Sequence, residues 1–188
     1  MTLALVLLLS AAQTAPPVEA EEAGAFRACL MLPPEQAVPL CREALAGERA
    51  AAQRVLLLRM LAAQLASLER WQEAVDAYAR WVALDPEEPE AQRRYGEVLL
   101  VATGRAAEAA EALREAVRLA PGDARAHGWL GVALNALGRH AEAVRAFEDA
   151  LGMDPTYFSS RPAARAVFEA AQRGVRWPPP GAEPEGRP

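Results

Sequence analysis

The chain has 188 residues, a length that suits one folded domain with terminal extensions, since domains commonly contain about 100–200 residues. Hydrophobic residues make up 52% of it and aromatic residues only 6%, because alanine supplies much of the apolar content. Alanine is the strongest helix former, and no alternating run of β-branched residues indicates a strand, so the composition predicts an all-α fold. A net charge of −5 without any cationic cluster argues against a nucleic-acid-binding protein.

The N-terminal residues, MTLALVLLLSAA, form an apolar run that is too short to span a bilayer, which needs about 20 residues. This run and the small and polar residues after it predict a secretory signal peptide over residues 1–20, with cleavage after Ala12 or Ala20. No arginine precedes the run, so the alternative is an apolar N-terminus on a cytosolic protein. The pattern favours an exported protein, periplasmic or secreted, with no membrane span once the signal is removed.

A degenerate helical hairpin is predicted over residues 21–54, with its turn at Pro33–Pro34. Its two helices carry the only cysteines of the chain, Cys29 and Cys41, at comparable distances from that turn. In an oxidising compartment these cysteines can form a disulfide if their Cα atoms lie within about 7 Å. The alternative is a pair of buried thiols that act as small hydrophobic side chains, and spacing alone does not choose between the two.

Residues 55–157 contain one phrase three times, as RWQEAVDAYARWVALDP, GRAAEAAEALREAVRLAP and GRHAEAVRAFEDALGMDP. Their final prolines, Pro86, Pro121 and Pro155, recur about every 34–35 residues, a period that indicates a repeat architecture. Another helical segment precedes each phrase, so we predict three helix–turn–helix units at residues 55–88, 89–123 and 124–157. Neither helix of a unit can bury its apolar face alone, and stacking of neighbouring units supplies the core.

The second unit has one more residue before its glycine, Gly104, than the third unit has before Gly138. We expect this extra residue in the turn between the two helices of the unit.

A capping helix is predicted for residues 158–175, with Ser160 as its N-cap and Gly174 at its end. Residues 176–188, which are rich in proline, are expected to form a disordered tail without a core.

The three units resemble tetratricopeptide repeats (TPRs), in which small residues let two antiparallel helices approach and an aromatic or aliphatic residue fills the space beside them. The positions that carry the resemblance are Leu61, Ala62, Leu65, Ala74, Tyr78 and Pro86 in the first unit, Tyr95, Gly96, Leu99, Ala109, Leu113, Ala116 and Pro121 in the second, and Leu130, Gly131, Leu134, Ala143, Phe147, Ala150 and Pro155 in the third. The resemblance implies a right-handed α-solenoid with an N-terminal hairpin and a C-terminal capping helix. Trp81 stands where the family usually has alanine, and we expect it to separate the first two units.

In the TPR family, the first helix of each unit lines a concave surface that holds a partner peptide or helix. By alignment, the residues on that surface are Arg59, Met60, Ala63, Arg93, Arg94, Glu97, Arg125, Trp129 and Asn135. Four arginines on one face would suit an acidic or C-terminal carboxylate segment, because guanidinium groups make bidentate bonds with carboxylates. Trp129 offers an aromatic anchor. The alternative is an ordinary solvated face, since the chain contains no lysine and arginine is used throughout.

Chaperone-binding members of the family hold a carboxylate with a clamp of lysine, asparagine and arginine side chains. Arg59, Arg94 and Arg125 fall on or near the corresponding positions, whereas Ala63 and Trp129 replace polar members of the clamp.

The sequence contains no GxSxG, HExxH or CxxCH motif and no phosphate-binding glycine loop, so we predict no catalytic residue and no cofactor. A metal site is not expected, because His127 and His140 lie on different helices and away from the cysteines.

The predicted function is a non-catalytic protein–protein interaction module or scaffold of the cell envelope that binds a partner peptide or helix in the concave TPR groove. A second hypothesis is a structural subunit that docks through its convex face within a larger envelope complex. A third and weaker one is an enzyme or metal-binding protein.

Overall fold

The structure is a computed structural model that describes residues 27–29, 31–47 and 51–176. Within these ranges it contains helices and turns and no strand, which confirms the predicted all-α class. The helices are α1 (Pro34–Ala46), α2 (Ala51–Ser67), α3 (Trp71–Leu84), α4 (Pro89–Thr103), α5 (Ala106–Leu119), α6 (Ala124–Ala136), α7 (His140–Met153) and α8 (Pro162–Gln172). Residues 27–29 and 31 are also helical. The predicted signal peptide and residues 177–188 lie outside the described residues.

The helices pair as the sequence predicts. Helices α2 and α3, α4 and α5, and α6 and α7 form three hairpins, and each hairpin stacks on the next through its neighbouring helices. Helix α1 packs on α2 at one end, and α8 packs on α6 and α7 at the other. The result is the predicted right-handed α-solenoid, in which each unit buries the apolar face of its neighbour. No helix in the described part of the chain is long and apolar enough to cross a membrane.

Left-handed glycines end the first helix of the second and third units. Gly104 has φ +64° and Gly138 has φ +76°, a backbone region that is accessible to glycine at little cost. The backbone N–H groups of the residues that follow, Arg105 and Arg139, donate to the carbonyls of Leu99 and Leu134. Because α4 runs to Thr103 and Gly104 follows directly, the extra residue of the second unit lies within the helix. Our prediction that the turn absorbs it is wrong, since one more residue only lengthens the last helical turn.

Close helix approach within the third hairpin depends on Gly131. A Cβ atom on Gly131 would lie 2.8 Å from ring atoms of Phe147, which is fully buried. The same relationship holds in the second hairpin, where a Cβ on Gly96 would lie 2.6 Å from Cγ of Leu113. The small first-helix residue and the large second-helix residue therefore fill one space between them, as predicted from the repeat pattern.

The N-terminal hairpin is linked by a disulfide between Cys29 and Cys41, whose Cα atoms are 4.8 Å apart. Both cysteines are fully buried. Helix α1 begins at Pro34, a favourable first helical residue because its φ is already close to the helical value. Helix α2 begins at Ala51 and not at Val55, so the first helix of the first unit starts earlier than predicted.

The C-terminal cap covers the end of the third unit. Phe147, Phe158 and Phe168 form an aromatic cluster with ring centroids 5.3–5.9 Å apart, and Val167 is buried beside it. The predicted N-cap role of Ser160 is wrong, because α8 begins at Pro162 with Arg161 as its flanking residue. The Ser160 hydroxyl instead donates to the backbone carbonyl of Tyr157 at 3.3 Å and so stabilises the preceding turn.

Candidate partner-binding groove

Helices α2, α4, α6 and α8 form one face of the solenoid, which we call the groove face. Two pockets open on it, one between α2 and α4 and one between α6 and α8. Of the predicted groove residues, Arg59, Met60, Arg94, Glu97, Arg125 and Trp129 are exposed or partly exposed, as is Ala63. Arg93 and Asn135 are buried.

The α2–α4 pocket has a volume of about 350 Å³ and is lined by Arg59, Met60, Ala63, Ala66, Tyr78, Trp81, Glu90 and Arg94. Tyr78 and Trp81 come from α3 and stack with ring centroids 6.3 Å apart. Burial raises the pKa of the Tyr78 phenol above its ordinary value. A shallower depression of about 190 Å³ shares Ala66, Tyr78 and Arg94 with this pocket and extends it towards Val101.

Trp81 lines this pocket from α3. Its side chain is 2% exposed, and its indole N–H has no hydrogen-bond acceptor among the described residues. The backbones of α4 and α6 come close at a few residues and those of α2 and α4 at fewer, whereas α3–α4 and α5–α6 pack to a similar extent. Our prediction that Trp81 separates the first two units stays a prediction.

Three of the four predicted arginines form a network with carboxylates. Arg93 lies at the centre, with Nε 3.0 Å from Asp123 Oδ2 and Nη1 3.7 Å from Glu97 Oε2. Arg94 lies 3.6 Å from carboxylate oxygens of both Glu90 and Glu97. Arg59 reaches Glu90 across the α2–α4 boundary at 3.7 Å. Because three arginines share three carboxylates, this part of the groove face carries little net charge.

Arg93 therefore has a structural position. Only 7% of it is exposed, and its contact with Asp123 joins α4 to the start of α6. Asp123 also caps α6, since its side chain accepts hydrogen bonds from the backbone N–H groups of Arg125 and Ala126 at 2.9 and 3.3 Å. Our placement of Arg93 on the accessible surface is wrong for this reason.

The α6–α8 pocket has a volume of about 370 Å³ and is lined by Trp129, Val132, Tyr157, Arg161, Pro162, Ala163, Ala164 and Val167. The guanidinium of Arg161 lies 4.7 Å from the centroid of the Tyr157 ring, within the range of a cation–π contact. Tyr157 packs tightly on α6, because a Cβ on Gly128 would lie 1.8 Å from its hydroxyl oxygen. Arg125 is exposed one turn before Trp129, and no carboxylate in the described ranges forms an ion pair with Arg125 or Arg161.

The repeat region of the chain matches a known family. A family model described as tetratricopeptide repeat matches residues 59–124 and 98–158, which together span more than half of the chain. The chain belongs to the tetratricopeptide repeat family. No curated protein matches the chain significantly over its sequence.

Solved TPR structures share this fold at low sequence identity. MamA (residues 41-end) from Desulfovibrio magneticus RS-1 has a TM-score of 0.63 and 23% identity, covering 83% of this chain and 89% of its own. The first TPR of Spaghetti (RPAP3) bound to the HSP90 peptide SRMEEVD has a TM-score of 0.59 and 23% identity, covering 67% and 99%. The TPR2B-domain:pHsp70 complex of yeast Sti1 has a TM-score of 0.58 and 20% identity, covering 64% and 97%.

Asn135 does not lie on the groove face of the third TPR. It is 0% exposed, and its Oδ1 atom is 2.7 Å from Nδ1 of His140, so it joins α6 to α7 inside the hairpin. Our prediction of Asn135 as a groove residue is wrong, because the alignment gives the position of a residue along the helix but not the direction in which its side chain points at the helix end.

The His127 side chain has a partner near the start of its own helix, since its Nε2 atom lies 3.0 Å from the carbonyl oxygen of Pro121. No cluster of metal-ligating side chains occurs within the described ranges.

Tyr157 and Arg161 are the groove residues that sequence reasoning missed. Both lie in the segment between α7 and α8, which connects the third TPR to the cap and follows the last residue of the repeat pattern. The sequence signal that could have found them was the predicted capping helix. Stacked on α6, this helix occupies the position that the first helix of a fourth unit would have, and it extends the groove face by one helix.

Proposed function

We propose that this TPR protein is a non-catalytic protein–protein interaction module that holds a peptide or helix of a partner along its groove face. The observation that carries the proposal is the row of depressions on that face, at α2–α4 and at α6–α8, with aromatic side chains in each. Volumes of about 350 and 370 Å³ lie within the range of about 300–1,000 Å³ typical of ligand pockets. Tyrosine, tryptophan and arginine, which line both pockets, are the residue types that dominate binding energy at interfaces.

The solved structures of related fold support the same proposal. RPAP3 and yeast Sti1 were solved with peptides or segments of HSP90 and Hsp70, and these partners belong to those proteins. We transfer only the mode of binding, a short segment in the groove, and not the chaperone partner.

We also propose that the protein is exported and acts in the cell envelope. Two observations support this location: the apolar signal-like N-terminus and the disulfide between Cys29 and Cys41. Disulfides persist in oxidising compartments and are rare in the cytosol. Sequencing the N-terminus of the protein purified from the native envelope fraction tests the proposal. A mature chain that begins after Ala12 or Ala20 supports export, whereas an intact N-terminus in the cytosolic fraction contradicts it.

Docking through the outer face is the second candidate. A pocket of about 390 Å³ opens between α1 and α3 on that side and is lined by Arg42, Leu45, Ala46, Leu61, Leu65, Glu73, Asp76, Ala77 and Arg80. A subunit that binds there would leave the groove face free. The two functions therefore predict opposite effects of substitutions on the two faces.

A matched pair of substitutions separates these functions. Ala63 lines the α2–α4 pocket and Ala46 lines the α1–α3 pocket, and both are exposed, so arginine at either position is compatible with its helix. Proteins captured from the native envelope fraction by the tagged chain are expected to be lost with Ala63→Arg and retained with Ala46→Arg. Loss with Ala46→Arg and retention with Ala63→Arg would favour the outer face. Crosslinks mapped by mass spectrometry locate the contact independently of affinity.

A further inference from the structure

We propose that the α6–α8 pocket receives an apolar side chain of the bound segment and that Arg125 and Arg161 pair with carboxylates beside that side chain. This inference rests on the proposed function and specifies the chemistry of the partner at one end of the groove face. The partner is thus a segment in which an aromatic or large aliphatic residue is followed or preceded by acidic residues.

The apolar part of the argument comes from the walls of the pocket. Trp129 and Val132 form one wall from α6, and Val167 forms the opposite wall from α8. Pro162, Ala163 and Ala164 at the start of α8 have short side chains, which leaves the mouth of the pocket open. A pocket with such walls gains free energy by burying apolar surface of a ligand, and Arg161 is the charged side chain among its lining residues.

The charge part of the argument comes from comparing the two ends of the groove face. At α2–α4, the arginines are neutralised by Glu90, Glu97 and Asp123. At α6–α8, Arg161 lines the pocket and Arg125 is exposed one helical turn before Trp129, and neither forms an ion pair with a carboxylate of the described residues. Burial raises the pKa of the Tyr157 phenol; the charges of Arg161 and Arg125 oppose that rise, whereas those of Asp123 and Glu97 add to it, so both arginines lie near this ring.

The geometry also indicates where the acidic part of the bound segment lies. Arg125 and Trp129 are four residues apart on α6 and therefore share one face of the helix. Arg161 lies on the other side of the pocket, over the ring of Tyr157. Carboxylates that flank an inserted apolar side chain meet these arginines, while the rest of the segment continues towards the electrically balanced α2–α4 pocket. The acidic end of the partner thus lies at α6–α8.

The test uses the full chain and three synthetic eight-residue peptides that differ only at a central motif. The motifs are phenylalanine–glutamate–glutamate, alanine–glutamate–glutamate and phenylalanine–glutamine–glutamine. We expect the first peptide to shift the NMR signals of the Trp129 indole and the Val132 and Val167 methyl groups.

The peptides that lack the phenylalanine or both glutamates are expected to bind about tenfold more weakly. Arg125→Ala and Arg161→Ala are each expected to weaken binding of the first peptide about fivefold, because partly exposed charge pairs contribute modestly. Arg145→Ala, at an exposed position on α7, is the matched control and should leave binding unchanged.

Other results overturn the inference. If the glutamine peptide binds as tightly as the glutamate peptide, the arginines do not select carboxylates. If the alanine peptide binds as tightly as the phenylalanine peptide, the pocket does not select an apolar side chain. Nuclear Overhauser contacts between Trp129 and residues 177–188 in the free chain would show that its own C-terminal segment occupies the pocket.

The failure of this inference is distinguishable from failure of the proposed function. Peptide shifts confined to Met60 and Tyr78, with partner capture still lost in Ala63→Arg, would retain the interaction module and reject the α6–α8 site. Partner capture that survives both Ala63→Arg and Trp129→Ala, together with no peptide shift anywhere on the groove face, would reject both.

Discussion

Gly131 and the ring of Phe147 are in van der Waals contact, so that a Cβ on Gly131 would lie 2.8 Å from ring atoms Cδ2 and Cε2. The ring is fully buried between α6, α7 and the cap. A single contact thus sets the separation of the two helices of the third TPR. The cap stacks on the same ring through Phe158 and Phe168.

Gly131→Leu is expected to lower the free energy of unfolding by about 1–3 kcal/mol, because a larger side chain overpacks the space that Phe147 fills. Chemical denaturation followed by circular dichroism measures the change. Gly152→Ala is the control: this glycine lies in α7 with open space around it, and alanine is the better helix former. It should leave stability equal or higher. Equal stability of Gly131→Leu and the parent would contradict the assigned packing.

Phe147→Ala is expected to cost about 3–5 kcal/mol through the cavity that it leaves in the core. Because Phe158 and Phe168 pack on the removed ring, we also expect the cap to loosen. Hydrogen exchange of α8 measures that loosening separately from the global stability. Unchanged exchange in α8 would show that the cap is held by Val167 and Ala171 without the aromatic cluster.

Reduction of the Cys29–Cys41 disulfide is expected to lower stability by about 2–4 kcal/mol, mainly by releasing a constraint on the unfolded chain. Denaturation curves with and without a thiol reductant measure the difference. The double variant Cys29→Ser, Cys41→Ser should match the reduced parent in its midpoint and be insensitive to reductant. Because both cysteines lie in the N-terminal hairpin, the exchange protection of α6 and α7 should hardly change.

Glu73 is expected to titrate below the ordinary pKa of a glutamate, because hydrogen bonds from Arg70 and Arg42 stabilise its carboxylate. A lowered pKa in the folded state means that its stabilising effect is complete above the unfolded pKa of about 4.3 and is lost as the pH falls through the folded value. NMR titration of the side-chain carboxyl measures this pKa. Arg70→Gln should raise it, with a smaller rise for Arg42→Gln. A Glu73 pKa that is the same in both variants and in the parent would contradict the assigned contacts.

Much of the fold was predictable because its determinants are local. The prolines that follow each unit and the glycines at Gly104 and Gly138 act over one or two helical turns, and the small residues opposite Phe147 and Leu113 recur at a nearly constant spacing within their hairpins. The exceptions were boundaries: α2 begins at Ala51, α8 begins after Ser160, and the extra residue of the second unit lengthens α4. Helix ends depend on small differences among competing backbone hydrogen bonds, which a pattern of residues does not resolve.

The sequence predicted which helices line the groove but not how charge is distributed along it. The alignment predicted Arg59, Arg94, Arg125 and Trp129 on the groove face, and each of them is at least partly exposed in the structure. It did not show that Arg93 is buried against Asp123, that Asn135 faces His140, or that Tyr157 and Arg161 complete a pocket with α8. Each of these features joins residues of different helices.

The sequence by itself determined that this protein is a stack of helical hairpins, because the repeat period, the helix-ending residues and the spacing of the small–large pairs can all be read along the chain. Only the tertiary structure decided which arginines remain available to a partner. A guanidinium is neutralised by whatever carboxylate the neighbouring helix brings within a few ångströms, and that distance depends on how the hairpins stack.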